Sequence, residues 1–377
     1  MVKNKNKSGL SLDDLKKKIN KKCGYDVAHS LEDDNPTEVK EWISTGSRWL
    51  DSIICRGQLA GIPVGKITEI AGLEGSGKSY MAAKIAANAQ KMDMDVIYFD
   101  SESAISPDFM EKAGCDLKNL LYVQAQSVEF VLEIIEQVLA EGSRKTLFIW
   151  DSLALTPAIG DIESSFDPGA SMALKARVLS KGLSKIIVPI ANMQCTLLVL
   201  NQLKENVRPK IKSDLLTEPY TTPGGKSLIY AYSLRLWLTK RKAKAAYVKD
   251  DKGFNIGSEH KITIKKSRFG SERRQCGFQI LWGEEVRILD EESWLEAVKE
   301  SDNIRSAGSW KYLMMEDGTE VSFQAGTWLE KLKDPKFHSR VLQLMDEEVI
   351  LKYQEKTKNG IRDNLPEFND IDGEGES

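Results

Sequence analysis

Gly72-Leu73-Glu74-Gly75-Ser76-Gly77-Lys78-Ser79 is the stretch that decides the fold of this chain. It fills every fixed position of the pattern G-x-x-x-x-G-K-[ST], and its flanks agree with it. Lys66-Ile67-Thr68-Glu69-Ile70-Ala71 before it reads as a strand, and Tyr80-Met81-Ala82-Ala83-Lys84-Ile85-Ala86-Ala87 after it reads as a helix. Glycines permit the tight turn that aims successive N–H groups at one anion. The start of the following helix adds the positive end of its dipole. Lys78 is then placed to reach the β- and γ-phosphates of a nucleoside triphosphate, and Ser79 to hold Mg²⁺. Gly72, Glu74, Gly75, Ser76, Gly77 and Tyr80 complete the expected nucleotide site. A functionless Gly- and Ser-rich turn is the competing reading, and the strand and helix on either side argue against it.

Outward from this loop, strands and helices alternate from about residue 42 to 290. Asp95–Phe99, Leu120–Val123, Thr146–Trp150 and Thr196–Leu200 are continuous apolar runs, as parallel strands buried on both faces require. Helical patterns lie between them, from Val128 to Ala140 and from Met172 to Ile190. Ser233–Leu238, His260–Ile264 and Gly277–Leu281 alternate in character and read as antiparallel or half-exposed strands. The prediction is an α/β phosphate-loop core with a mostly parallel, mixed central sheet. Around it we expect an N-terminal helix and linker at 1–40, the core at 41–290, a small C-terminal α/β domain at 291–360, and an acidic disordered tail at 361–377. In the first of these, Ser11 caps a helix, with Leu12, Leu15 and Ile19 on one face and Lys16, Lys17, Lys18, Lys21 and Lys22 along it. So short a helix needs a partner surface to bury that face; otherwise it stays a solvated arm.

Composition narrows the function classes. The 377 residues suffice for one large α/β domain with one or two small ones. The net charge is −3, so any nucleic-acid surface has to be local. Cys23, Cys55, Cys115, Cys195 and Cys276 are scattered with no C-x-x-C pair, which argues against a disulfide framework or zinc site and for a reducing, cytoplasmic setting. No apolar run approaches the roughly 20 residues of a membrane helix, and no signal-peptide pattern opens the chain.

Three further features carry chemistry. Leu147-Phe148-Ile149-Trp150-Asp151 is an apolar strand ending in an acid, which at that edge of the sheet holds Mg²⁺ through water. Phe99-Asp100-Ser101-Glu102 ends another strand, and a carboxylate there either accepts a proton from attacking water or caps the following turn. Val199-Leu200-Asn201-Gln202 ends a third strand with an amide pair, where an amide can report on the γ-phosphate. Gln202 opens a long stretch, Leu203 to Thr222, with Lys204, Arg208, Lys210 and Lys212, followed by Gly224-Gly225-Lys226. Basic side chains and glycine N–H groups suit a phosphate backbone without base reading. A second irregular stretch, Ala158 to Ser171, precedes a helix with Arg177, Lys181 and Lys185 at i, i+4, i+8. Two basic elements on one sheet edge favour a shared groove for a nucleic-acid strand over two solvated faces.

Together these motifs resemble the RecA-type recombination ATPases, especially the bacteriophage, UvsX-like branch. The resemblance runs from Ile43-Ser44-Thr45-Gly46 to about Gly283 and includes Asp151-Ser152-Leu153-Ala154-Leu155-Thr156-Pro157, Thr222-Pro223-Gly224-Gly225, Lys265-Lys266-Ser267-Arg268 and Phe278-Gln279-Ile280-Leu281-Trp282-Gly283. It implies ATP and Mg²⁺ as cofactors, Glu102 as general base, Asp151 as the Mg²⁺-side acid and Gln202 as γ-phosphate sensor. It implies two DNA-binding loops, at 158–171 and 203–222, and flat rings at Phe109 and Trp282 flanking the adenine. Lys266 and Arg268 match positions that reach a neighbouring subunit's ATP; read alone they are a basic strand end. The N-terminal helix resembles an arm that docks on an adjacent subunit. The implied partners are single-stranded DNA, a homologous duplex, further copies of the chain in a helical filament, and single-strand-binding and mediator proteins. The sequence departs from many bacterial relatives at Ser184, where they carry a basic residue, and lacks an aromatic wedge before Tyr220. The alternatives are a hexameric helicase of the DnaB or RadA type and a KaiC-like ATPase. The absence of a zinc ribbon or protease domain disfavours the RadA type, and a single phosphate loop disfavours the KaiC kind.

Overall fold

The computed structural model describes residues 10–24, 27–32, 37–142, 144–163, 168–205, 220–241, 243, 246–282 and 286–350. Arg208, Lys210, Lys212, Gly283 and the acidic tail at 361–377 lie outside them. Residues 1–40 and 41–377 form two compact units.

The first unit is built on α1 (Leu12–Cys23). Ser11 caps it by accepting the Asp14 N–H at 3.1 Å, and Gly24 closes it in the left-handed conformation. Asp13 and Asp14 in the first turn and Lys21 and Lys22 in the last complement the helix dipole. Leu12, Leu15 and Ile19 are all exposed.

The second unit is organised by one sheet. Its main strands are β1 (Ile67–Gly72), β2 (Asp95–Asp100), β3 (Leu120–Gln124), β4 (Thr146–Asp151), β5 (Thr196–Gln202), β6 (Leu234–Lys240), β7 (Asn255–Ser267), β8 (Gln275–Trp282) and β9 (Val286–Leu289), and a short tenth, Tyr247–Lys249, pairs antiparallel with the start of β7. Their order across the sheet is β9-β8-β7-β6-β1-β5-β4-β2-β3. From β6 to β3 all neighbours are parallel. From β6 to β9 all are antiparallel. β6 is therefore the strand where direction switches, and it is buried through most of its length. The sequence reads it as antiparallel or half-exposed: it is antiparallel on its β7 side and parallel on its β1 side, with Trp237, Thr239 and Lys240 half-buried.

One expectation needs correcting. β3 is not buried on both faces: it is the sheet edge, with Leu121 57% and Tyr122 42% exposed. An apolar run shows only that a strand has room for apolar groups, whereas the order of strands decides what covers it. The stretch after Ala158 is also less irregular than expected. It holds α6 (Ile159–Glu163) and the start of α7 (Pro168–Asn192).

Helices α2 (Arg48–Ile54) and α3 (Lys78–Gln90) cover one face of the sheet, and α5 (Val128–Glu141), α7 and α8 (Lys226–Ala231) cover the other. A short α4 (Pro107–Lys112) follows β2. Beyond β9, helix α9 (Asp290–Val298) leads into three antiparallel strands, Ile304–Ala307, Trp310–Met314 and Glu320–Gln324. Phe323, Trp328 and Phe337 meet there, with ring centroids 5.4–5.7 Å apart. Among the described residues no helix is long and apolar enough to cross a membrane.

Candidate nucleotide site

The parallel strands deliver their chemistry to one edge, because β1, β5, β4 and β2 all end there. Gly72 closes β1, and a side chain on it would lie 2.3 Å from Ser76 Oγ and 2.6 Å from the Leu238 carbonyl. No other residue fits that approach. The chain then turns through Gly75 and Gly77, with φ of 64° and 90°, into the N-terminus of α3. Ser76 is buried while Glu74 and Gly75 face solvent. Lys78 Nζ donates to the carbonyls of Gly72 at 3.3 Å and Leu73 at 3.1 Å. Burial lowers the Lys78 pKa, opposed by the charges of Asp151, Glu102 and Glu74.

Asp151 stands at the end of β4, beside α3. Its Oδ2 accepts from Ser79 Oγ and from Tyr98 Oη, both at 2.7 Å. Burial raises the Asp151 pKa, and the two hydroxyl donors work against that shift. Tyr98 is fully buried in β2, the strand next to β4. The peptide from Asp151 to Ser152 is cis. Ser152 Oγ donates to Glu102 Oε1 at 2.9 Å, so Glu102 and Asp151 flank one short turn.

Glu102 itself is exposed, and the capping role goes to its neighbour. Asp100, 2% exposed, accepts the N–H groups of Glu102 at 2.8 Å, Ala104 at 3.0 Å and Ile105 at 3.3 Å, together with Tyr122 Oη at 3.2 Å. That cage holds the turn that presents Glu102. Gln202 ends β5, half-buried, with its N–H bonded to Asn201 Oδ1.

The remaining expected residues fall in three places. Phe109, on α4, sets its ring edge-on to Tyr80, centroids 6.3 Å apart, and Tyr80 Oη reaches the Val286 carbonyl. Trp282 ends β8, 42% exposed, with Lys240 Nζ 4.7 Å above its ring. Lys266 Nζ donates to the carbonyl of Ile229 at 2.6 Å, and Arg268 Nη2 to that of Tyr230 at 3.0 Å, so both cap the C-terminus of α8. On α7, Arg177 and Lys181 are exposed, but Lys185 pairs with Glu136 of α5 at 3.2 Å. All three members of the expected basic stripe are exposed, and pairing with Glu136 takes up the charge of Lys185. Lys204 is exposed, in a two-stranded ribbon of Lys204–Glu205 with Tyr220–Thr221. Gly224 has φ 109°, and a side chain there would meet Leu228 Cδ1 at 1.9 Å; Gly225 follows at φ 84°.

Two groups near the site carried no signal in the sequence. Lys175 Nζ, on α7, donates to the carbonyls of Leu153 at 2.8 Å and Ala154 at 3.1 Å, and burial brings its pKa down to about 8. His260, on β7, sits beneath the phosphate loop, and burial brings its pKa down to about 4. Its Nε2 meets Ser258 Oγ at 2.8 Å.

Oxygen donors dominate the metal side: Ser79 Oγ and Asp151 Oδ2 converge, with a phenol behind them. That set fits a hard divalent cation that keeps several waters and takes phosphate oxygens as further ligands.

Comparison with known proteins agrees with this geometry. The family model of the RecA N-terminal domain matches residues 11–287. Protein RecA of Acinetobacter baylyi is 29% identical over 340 residues, covering 90% of this chain and 91% of that one. Protein RecA of Mannheimia haemolytica is 32% identical over 294 residues, 78% of this chain and 74% of its own. Protein RecA of Acinetobacter baumannii is 31% identical over 292 residues, 78% of each. With its phosphate loop, its acid-tipped strands and a match across most of its length, this chain belongs to the RecA family.

Proposed function

We propose that this chain is an ATP-dependent recombinase that polymerises on single-stranded DNA and pairs it with a homologous duplex, hydrolysing ATP as it does so. The observation that carries the reading is the convergence of Ser79, Asp151 and Glu102 around the phosphate loop in a member of the RecA family. Gly72 to Ser79 cradle the triphosphate with backbone N–H groups, and Lys78 gives up two carbonyls to bond phosphate oxygens. Ser79 and Asp151 would hold Mg²⁺, which would supply charge neutralisation for the phosphoryl group. Glu102, held toward the turn by Ser152, takes the proton of the attacking water. Gln202 reads the γ-phosphate and passes its presence to the adjoining DNA-binding segment. Phe109 and Trp282 flank the adenine.

Lys266 and Arg268 act in trans, on the nucleotide of the next subunit, where a cation stabilises developing charge. In the free chain they cap α8, so assembly exchanges a carbonyl partner for a phosphate. Arg177, Lys181, Lys204, Gly224 and Gly225, with Arg208, Lys210 and Lys212, contact the DNA backbone. The domain limits at 40, 290 and 360, docking of α1 on a neighbouring subunit, partnership with single-strand-binding and mediator proteins, a cytoplasmic setting and membership of the UvsX-like branch belong to the same reading.

Electron microscopy with ATP, with and without single-stranded DNA, tests it. Open helical filaments on DNA are expected. Closed rings of fixed size in both samples would favour the helicase alternative and overturn the proposal.

A further inference from the structure

Glu69, Arg235 and Asn201 form a buried polar knot for which the nucleotide chemistry above has no use. Glu69 lies in β1, three residues before Gly72, and is fully buried. Arg235 stands directly opposite it in β6 and is 7% exposed. Asn201, fully buried, lies on β1's other neighbour, β5. One Glu69 oxygen accepts Arg235 Nε at 2.6 Å, and the other accepts Asn201 Nδ2 at 2.9 Å.

The same donors also reach out of the sheet. Arg235 Nη2 donates to Thr222 Oγ1 at 2.9 Å, and Asn201 Nδ2 to the Pro223 carbonyl at 3.2 Å. Asn201 Oδ1 accepts the Gln202 N–H at 3.0 Å. One carboxylate of the phosphate-loop strand is therefore tied to both ends of a single excursion. The chain leaves the sheet at Gln202 and comes back alongside it at Thr222–Pro223, before α8, and the ribbon of Lys204–Glu205 with Tyr220–Thr221 forms the stem between.

Holding three strands together does not call for this arrangement. A buried ion pair stabilises a sheet no better than well-packed apolar residues of like volume. What apolar residues cannot do is fix the direction of a stem by hydrogen bonds. Here the bonds beyond the Glu69 carboxylate run to Thr222 and Pro223, at the foot of the stem, and to Gln202, which leads into it.

We propose that Glu69 and Arg235 are positioning residues that lock this stem to the phosphate-loop strand, coupling DNA binding to ATP hydrolysis. The inference rests on the recombinase reading above. Two variants of the full-length chain test it. Glu69→Leu with Arg235→Met replaces the pair by apolar groups, which preserves folding better than either single change, since a single change strands a buried charge. Arg235→Lys keeps the ion pair but loses the fork that also reaches Thr222.

Each variant is assayed for melting temperature, affinity for a fluorescent ATP analogue, and hydrolysis with and without a thymidine oligonucleotide. We expect near-normal melting and nucleotide affinity, with stimulation by DNA reduced about tenfold, a typical coupling factor between two sites. Wild-type stimulation in either folded variant overturns the inference. If the double variant does not fold, Arg235→Lys decides alone. A wild-type chain that DNA does not stimulate overturns the recombinase reading itself, a different result from equal stimulation in wild type and variants.

Discussion

Tyr98→Phe removes one oxygen from the core and tests how the metal side of the site is held. Tyr98 Oη donates to Asp151 Oδ2 at 2.7 Å from a fully buried position, where no solvent replaces it. A hydrogen bond to a charged group contributes about 1.5–3 kcal/mol, and phenylalanine leaves no large cavity to add to that. Stability should therefore fall by about 1.5–3 kcal/mol, or roughly 2–5 °C in melting temperature for a unit of this size. The functional effect should exceed the structural one. Partners behind a metal ligand change metal affinity by about 10- to 100-fold, so the Mg²⁺ concentration for half-maximal hydrolysis should rise on that scale.

The pH dependence has a definite sign. Burial raises the Asp151 pKa, and Tyr98 opposes that rise. Without the phenol the carboxyl holds its proton to higher pH, so the acid limb of the rate profile should move up. The assay is DNA-saturated hydrolysis across a grid of Mg²⁺ concentration and pH. An unchanged Mg²⁺ requirement together with an unmoved acid limb would refute the reasoning, even if stability fell.

Glu102→Gln should retain nucleotide binding and lose about 10²- to 10⁴-fold in hydrolysis, the usual worth of a general base; a smaller loss in single-turnover assays counts against the role. Lys266→Ala with Arg268→Ala should remove about 10³-fold or more of DNA-stimulated hydrolysis while isolated subunits still bind a fluorescent ATP analogue. Retained activity would leave the pair as caps of α8 and nothing more. His260→Gln concerns stability alone. Burial puts the His260 pKa at about 4, so between about 6.5 and 4 the unfolded chain binds a proton that the folded chain refuses. Stability should fall by up to about 3 kcal/mol as pH drops through that window, and the variant should lack this fall; identical urea midpoints at each pH would show otherwise.

What was legible in the sequence divides along physical lines. The phosphate loop, the acid-tipped strand at Asp151 and the helix cap at Ser11 were readable because each is a local device, complete within a few neighbouring residues. The edge position of β3, the directional switch at β6 and the pairing of Lys185 with Glu136 were not. They depend on which strand or helix lies alongside, and chain order does not state that. Tyr98 was invisible for a related reason. Within Asp95-Val96-Ile97-Tyr98-Phe99 it reads as one more apolar ring, and only the register of β2 against β4 brings its hydroxyl to Asp151. Glu69 passes unremarked in its strand for the same reason: its partners lie 132 and 166 residues away.

The resting bonds of Lys78 carry a consequence for selectivity. Its ammonium already has two carbonyl acceptors within the loop, so an incoming nucleotide is in competition with the protein's own backbone. Neutral carbonyls lose that contest to anionic oxygens, because charge-assisted bonds are roughly twice as strong. The contest takes place at the far end of the phosphate chain, however. A ligand that ends before that point fills the glycine turn without displacing the carbonyls, and it gains nothing from the lysine. If Lys78 reaches the β- and γ-phosphates as proposed, the loop would have an internal threshold that sorts nucleotides by the number of phosphates they carry.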